Sequence, residues 1–156
     1  VVDSSPMYGR AEGVVGDLLA ESGERTKAFI ATKVWTSGKE QGIAQMQQSM
    51  KLLRANPLDL MQIHNLLDWQ AHLPTLRTWK KDGRLRYIGV THYTESAHDS
   101  LLAVVQRETL DFLQINYALD DRGAERRLLP AARDRGVAVI VNMPFCGRAT
   151  VAFKNC

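Results

Sequence analysis

The chain has 156 residues, which suits one domain and suffices to bury a hydrophobic core. Hydrophobic residues make up 45%, charged residues 24%, and the net charge is +3. Its basic residues are scattered among acidic ones and no apolar run nears the ~20 residues of a membrane span, so we expect no nucleic-acid or membrane partner.

The two cysteines, Cys146 and Cys156, lack the spacing of metal ligands. We expect them to be free thiols in a cytoplasmic protein, because disulfides are rare in reducing compartments. No cluster of histidine, cysteine or carboxylate residues has metal-binding spacing, so no metal site is predicted.

Short apolar runs recur along the chain and predict β-strands. Residues 137–141 are apolar without alternation, which is typical of a strand covered on both faces. The predicted strands are Val1–Asp3, Ala28–Thr32, Leu58–Ile63, Tyr87–Val90, Phe112–Ile115 and Val137–Val141.

Five amphipathic stretches between these runs predict helices. The first covers residues 12–19 and ends near Gly23. Apolar residues three or four apart mark the core-facing side of the other four, which centre on Met46, Leu76, Leu102 and Leu129. His72 and His98 fall in two of these stretches and are predicted to be surface residues.

Alternating strands and helices predict an α/β fold with a parallel sheet and right-handed connections. The pattern gives about six parallel strands and five helices, without a linker or domain boundary. A closed eight-stranded barrel takes about 250 residues, so this chain is short by about two units. We therefore predict a single, incomplete TIM-type (β/α) barrel domain over residues 1–156.

Four residues that can carry chemistry lie at or just past the ends of predicted strands: Asp3, Tyr8, Lys33 and His64. Each one alone is more simply explained as a turn, packing, surface or core residue. Strand ends lie side by side in a parallel sheet, so the four could meet. A phenol beside an ammonium, a carboxylate and an imidazole would form a proton-donating site for a carbonyl oxygen.

Six segments in the same order resemble motifs of the aldo-keto reductase family, and the resemblance runs from Val1 to about Phe145. The first resembles that family's Asp-x-Ala-x-x-Tyr-Gly-x-x-Glu segment. The segments are Asp3–Glu12, Thr32–Trp35, Asp59–His64, Ile88–Tyr93, Gln114–Tyr117 and Met143–Phe145.

The resemblance implies NADPH-dependent reduction of a small aldehyde or ketone in a (β/α) barrel. It implies that Tyr8 is the general acid, that Lys33 lowers the pKa of Tyr8, and that Asp3 holds Lys33 protonated. It implies that His64 donates a hydrogen bond that orients the carbonyl oxygen.

For the cofactor, the resemblance implies that Thr91 and Gln114 bind the nicotinamide carboxamide. His92 stands where the family commonly has asparagine. Asn142 stands where the family usually has a tyrosine that stacks under the nicotinamide, so an aromatic face is missing there.

The resemblance also implies that the family's first strand and helix, its eighth strand and its phosphate-gripping loops are missing. No glycine-rich phosphate loop replaces them. We expect weakened cofactor binding. We also expect a homodimer or higher homo-oligomer, because unpaired edge strands and an uncovered sheet face promote association.

Two alternatives to an active enzyme remain open. The chain could be a catalytically silent barrel remnant that acts as an oligomeric binding or scaffold protein. It could also be a regulatory subunit that senses the redox state of nicotinamide, although that role needs a firm grip on the cofactor.

Overall fold

A computed structural model of the chain describes residues 1–145, so both cysteines lie outside the described residues. The chain divides into two compact units, Val1–Gly89 and Val90–Cys156. The boundary falls inside the fourth strand, β4 (Leu85–His92).

The first unit alternates strands with helices and contains three strands before β4. Strand β1 pairs with β2, and β2 pairs with β3, in parallel; Val2 lies opposite Ile30, and Ala31 opposite Leu60. Its elements before β4 are β1 (Val2–Asp3), α1 (Ala11–Ser22), β2 (Ile30–Val34), α2 (Lys39–Leu52), β3 (Leu58–His64) and α3 (Trp69–Lys81).

The second unit begins with the end of β4 and continues the same alternation. Strands β5 and β6 pair in parallel, with Gln114 opposite Ile140 and Asn116 opposite Asn142. Its elements after β4 are α4 (His98–Arg107), β5 (Phe112–Asn116), α5 (Leu128–Asp134) and β6 (Ala138–Asn142).

The strands follow chain order, β1 to β6, in the sheet. Six parallel strands and five helices confirm the predicted incomplete TIM-type (β/α) barrel. Helix α1 ends next to Gly23, as predicted, and α3 and α5 end two residues before Gly83 and Gly136; all three glycines have positive φ angles.

Each unit has a buried apolar layer between its strands and helices. All residues of β2 and β3 are buried, as expected for strands covered on both faces. The predicted helix stripes supply Met46, Leu76 and Leu102 to these layers.

Asp59 joins the starts of three strands in the first unit. Its carboxylate accepts the Ile30 N–H at 2.9 Å and pairs with Arg86 at 2.7 Å and Arg25 at 3.4 Å. The buried negative charge is therefore compensated by two cations and a backbone donor, which fixes the register of β2 beside β3.

Two sequence predictions fail at this level. Strand β6 is not covered on both faces, since Val139 and Val141 are 36% and 39% exposed; apolar composition alone cannot reveal whether a neighbouring layer exists.

His72 is not a surface residue, because its side chain is buried and its Nε2 donates to the Thr36 carbonyl at 2.7 Å. His98 is partly buried and donates to Asn116 Oδ1 at 3.0 Å.

Candidate active site

Lys33 is the buried cation of the first unit. It lies in the fully buried strand β2, and its side chain is 2% exposed. Its Nζ donates to Asp3 Oδ2 at 2.8 Å and to the Ser4 carbonyl at 2.8 Å. Strand pairing explains the meeting, because β1 and β2 are parallel neighbours and bring their carboxyl ends to one edge.

Tyr8 lies beside this cation on the turn that follows β1. The Lys33 Nζ is 5.3 Å from the centroid of the Tyr8 ring. Tyr8 is 47% exposed, so its side chain can be reached by a small molecule while Lys33 stays covered. The pair therefore combines an accessible proton donor with a buried positive charge.

The pKa shifts differ from the expectation for this pair. The pKa of Tyr8 is raised, first by partial burial and then by the negative charge of Asp3. The pKa of Lys33 is lowered by burial, against the opposing influence of Asp3 and Glu12. The expected lowering of the Tyr8 pKa is therefore wrong here, because burial and the charge of Asp3 both favour the protonated phenol. A raised pKa keeps Tyr8 protonated as a hydrogen-bond donor at neutral pH.

His64 ends strand β3 on the other side of Tyr8. The two rings meet edge to face, with centroids 6.3 Å apart. The His64 Nδ1 lies 3.2 Å from the hydroxyl of Ser5, which accepts the Met7 N–H at 3.4 Å. The Ser5 hydroxyl can donate to Nδ1 when the His64 proton is on Nε2.

The structure thus brings Asp3, Tyr8, Lys33 and His64 together within the first unit. This group offers a phenol donor, an imidazole and a buried ion pair, which suits a ligand oxygen that gains negative charge.

Trp35 also belongs to this region, although the sequence analysis did not single it out as a site residue. Its ring centroid is 6.3 Å from that of His64, tilted by 57°, and it is 40% exposed. A large aromatic residue directly after the strand that carries Lys33 was the available signal.

The predicted cofactor residues lie in the second unit. Thr91 and His92 end β4, Gln114 lies in β5 and Asn142 ends β6. The Gln114 Nε2 donates to Asn142 Oδ1 at 2.8 Å, and Gln114 and Thr91 are buried. These residues therefore occupy the carboxyl-terminal halves of neighbouring strands.

His92 is held in one tautomer by the backbone that follows it. Its Nδ1 accepts the N–H groups of Tyr93 at 3.1 Å and Thr94 at 3.3 Å. Since Nδ1 must be unprotonated to accept them, the proton resides on Nε2. Burial, and then the charge of His98, lower the pKa of His92, which favours this neutral form.

These groups fit a nicotinamide carboxamide, which both donates and accepts hydrogen bonds. The His92 Nε2–H can donate a hydrogen bond, as an asparagine amide would. The Gln114 amide and the Thr91 hydroxyl can each donate or accept one. The arrangement lacks an aromatic face at Asn142.

Within residues 1–145, no group of three or more histidine, cysteine or carboxylate residues could hold a metal ion. None of the helices in this described part is long and apolar enough to cross a membrane.

Comparison with known proteins supplies the family. The family model described as "Aldo/keto reductase family" matches residues 1–153. The chain is 26% identical to Aldo-keto reductase YhdN of Bacillus subtilis, covering 94% of this chain and 48% of that protein. It is 28% identical to Methylglyoxal reductase DkgB of Salmonella typhimurium, covering 88% of this chain and 54% of that protein. The chain thus spans about half the length of these curated relatives.

Solved structures show the same fold. The aldo-keto reductase AKR11C1 from Bacillus halodurans matches with a TM-score of 0.74 and 24% identity, over 90% of this chain and 49% of that one. The glycerol dehydrogenase AKR11B4 from Gluconobacter oxydans matches with a TM-score of 0.70 and 26% identity, over 89% of this chain and 47% of that one.

Proposed function

Because the chain belongs to the aldo/keto reductase family, we propose that it reduces a small aldehyde or ketone to the corresponding alcohol, with NADPH as the reductant. The observation that carries this proposal is the arrangement in the first unit, where the half-exposed phenol of Tyr8 lies beside the buried Lys33–Asp3 ion pair and the ring of His64.

Each of the four side chains has a separate task in the proposal. Tyr8 gives its proton to the carbonyl oxygen as the carbonyl carbon accepts a hydride. His64 donates a hydrogen bond from Nε2 to the same oxygen and orients it. Lys33 offsets the negative charge that develops beside it, and Asp3 holds Lys33 in place.

When bound, NADPH supplies the hydride. Thr91, His92 and Gln114 would hold its carboxamide, and Asn142 would orient Gln114 through their hydrogen bond. The proposed substrate is a small reactive aldehyde or dicarbonyl. One relative is named as a methylglyoxal reductase, which supports that class of substrate.

The test is NADPH oxidation at 340 nm with methylglyoxal as the carbonyl substrate, comparing the parent chain with Tyr8→Phe. The control variant is Tyr87→Phe, which removes a phenolic hydroxyl from the same unit at a ring that stacks on Phe29. Loss of the proton donor should reduce turnover by about 10²–10⁴-fold, and the control should retain activity.

Three outcomes are informative. Activity in the parent and in Tyr87→Phe, with loss in Tyr8→Phe, supports the proposal. Equal activity in all three would exclude Tyr8 as the proton donor. Inactivity of the folded parent at saturating NADPH would favour the catalytically silent scaffold.

The proposal includes weak cofactor binding by the 156-residue chain. The sequence has no glycine-rich phosphate loop, and each missing charge-assisted phosphate bond is worth about 1.5–3 kcal/mol. We expect a dissociation constant for NADPH well above the micromolar range in a fluorescence titration. Submicromolar binding would contradict this expectation.

A further inference from the structure

The second unit contains a cavity of about 290 Å³ where the start of α4 faces the loop between β5 and α5. Its lining comes from within residues 95–99 and 123–128, together with Leu102 of α4. Leu102 and Leu128 are buried and give the cavity an apolar surface. The volume is at the lower end of the range for ligand sites, so the cavity suits a small molecule.

The ring of His98, which lines this cavity, is oriented by Asn116. The Asn116 Nδ2 donates to Asp121 Oδ2 at 2.6 Å, so the Asn116 Oδ1 is the atom that faces His98 Nε2 at 3.0 Å. His98 Nε2 must therefore carry the proton, and Nδ1 of the neutral ring is a hydrogen-bond acceptor. Since Nδ1 has no hydrogen-bond partner in the described part of the chain, it is available to a ligand.

Ser96 offers the cavity a second acceptor, because its own proton is used elsewhere. His92 Nδ1 carries no proton, since it accepts the N–H groups of Tyr93 and Thr94. The Thr94 hydroxyl, 3.2 Å from that nitrogen, must therefore donate to it. The Thr94 Oγ1 then accepts from the Ser96 hydroxyl at 3.0 Å, which leaves lone pairs on Ser96 Oγ for a molecule in the cavity.

Two opposite charges at the cavity are free to bind a ligand. Asp99 and Arg127 form an ion pair at 2.9 Å and compensate each other. Glu95 and Arg126 also line the cavity, and neither makes an ion pair within residues 1–145. The Glu95 carboxylate packs on Gly123, because a Cβ atom added there would lie 2.1 Å from Glu95 Oε1. The cavity therefore presents one free carboxylate and one free guanidinium.

We propose that this cavity binds a free α-amino acid with an apolar side chain. The three acceptors, on Glu95, Ser96 and His98, match the three N–H groups of a primary ammonium. Arg126 can bind the carboxylate through two parallel N–H groups, and the apolar surface can cover the side chain. An inorganic anion fits less well, because it would meet the same three acceptors. Such binding needs no carbonyl reduction, so it stands apart from the proposed function.

The test is a ¹H–¹⁵N NMR titration of the 156-residue chain with L-leucine at pH 8, in a buffer without primary amines. Two further probes each lack one charged group of leucine: 4-methylpentanoate has no ammonium, and 3-methylbutan-1-amine has no carboxylate. Because Glu95 and Arg126 are exposed, we expect leucine to bind in the millimolar range. Each single-charge probe should bind at least about fivefold more weakly than leucine.

Glu95→Gln and Arg126→Gln each remove one of the two free charges. Each should weaken leucine binding about threefold to fivefold, the effect of one exposed ion pair. Glu95→Gln should not weaken the binding of 4-methylpentanoate, and Arg126→Gln should not weaken that of 3-methylbutan-1-amine. Asp120→Asn and Arg107→Gln are the matched controls, because both residues are exposed, lie in the same unit and do not line the cavity.

Selective ¹⁵N labelling of histidine follows the His98 ring itself. The chain has four histidines, and His98→Gln identifies the His98 resonances. Leucine should shift the His98 Nδ1 resonance in the direction of an accepted hydrogen bond, while Nε2 stays protonated. No saturable leucine binding, equal binding of leucine and both single-charge probes, or an unmoved Nδ1 resonance at saturation would overturn the proposal. Leucine binding that is unchanged in both Glu95→Gln and Arg126→Gln would also overturn it.

Discussion

At Lys33, burial and charge pairing act in opposite directions. Burial lowers the pKa of the ammonium, and the Asp3 carboxylate at 2.8 Å raises it. The lowering prevails, so the folded chain holds the Lys33 charge at a cost that Asp3 offsets only in part. Such a cost is typical of residues kept for chemistry, because an apolar residue of similar size would be easier to bury.

This balance predicts how stability depends on alkaline pH. The Lys33 pKa lies below its ordinary 10.5 in the folded chain and near 10.5 in the unfolded chain. Between these two values the unfolded state binds more protons, so the contribution of Lys33 to the free energy of unfolding increases as the pH rises. Below the folded pKa its unfavourable contribution is constant.

Urea denaturation of the parent and of Lys33→Met between pH 7 and pH 10 measures this contribution. We expect the free energy of unfolding of the parent, relative to that of Lys33→Met, to increase as the pH approaches 10. The difference between the two proteins cancels the titration of Tyr8, whose raised pKa acts in the opposite sense above pH 10. A pH-independent difference would show that the Lys33 pKa is not lowered.

At the level of single residues, the sequence was informative about which groups could meet and uninformative about their pKa values. The order of motifs placed Asp3, Tyr8 and Lys33 at strand ends, and the structure brings them together. The direction of the Tyr8 pKa shift follows from how far the phenol is buried and how near the Asp3 carboxylate lies, and neither can be read from the sequence. The roles of these residues in catalysis stay predictions.

Helices α1 and α2 approach each other closely at Gly16. A Cβ atom added at Gly16 would lie 2.0 Å from the Leu52 carbonyl oxygen, which is a backbone atom and cannot swing away. A Cβ added at Gly13, one turn earlier, would meet only Leu52 Cδ2 at 3.9 Å. The packing of α1 against α2 therefore requires glycine at position 16 but leaves room for a methyl group at position 13.

This contrast predicts opposite effects of the same substitution. Gly16→Ala should lower the free energy of unfolding by about 2–4 kcal/mol, because α1 must move away from α2. Gly13→Ala should raise it by about 0.5–1 kcal/mol through helix propensity alone. Chemical denaturation of both variants gives the comparison, and equal effects would contradict the close packing of α1 against α2.

At the level of elements, strand and helix order was predictable because apolar periodicity and glycine stops are local signals. Burial of a whole strand face was not, as β6 shows, because it depends on what lies against that face. The interior position of His72 was also hidden. A histidine in a polar helix looks solvent-exposed until its partner, the Thr36 carbonyl, is known.

For the whole molecule, the exposed apolar side chains of β6 and of the residues just after it favour association. Val139, Val141 and Met143 are 36%, 39% and 42% exposed, and Phe145 is 77% exposed. Exposed apolar residues that lie close together promote association with another chain. We propose a homodimer or a higher homo-oligomer as the state of the 156-residue chain.

Size-exclusion chromatography with light scattering at tens of micromolar protein tests this proposal. The expected mass is at least twice the 17.5 kDa of one chain. The double variant Val139→Thr with Val141→Thr should lower the associated fraction, because it removes apolar side chains while keeping β-branched residues. A monodisperse monomer in the parent would contradict the proposal.

The most direct test of the central claim follows the hydride itself. NADPH with both hydrogens at C4 of its nicotinamide replaced by deuterium is incubated at millimolar concentration with methylglyoxal and the chain, and the alcohol product is examined by mass spectrometry. The account predicts an alcohol with one deuterium on the former carbonyl carbon, formed by the parent and by Tyr87→Phe and strongly reduced with Tyr8→Phe. A folded parent that forms no deuterated alcohol, or a Tyr8→Phe variant that forms as much as the parent, would contradict it.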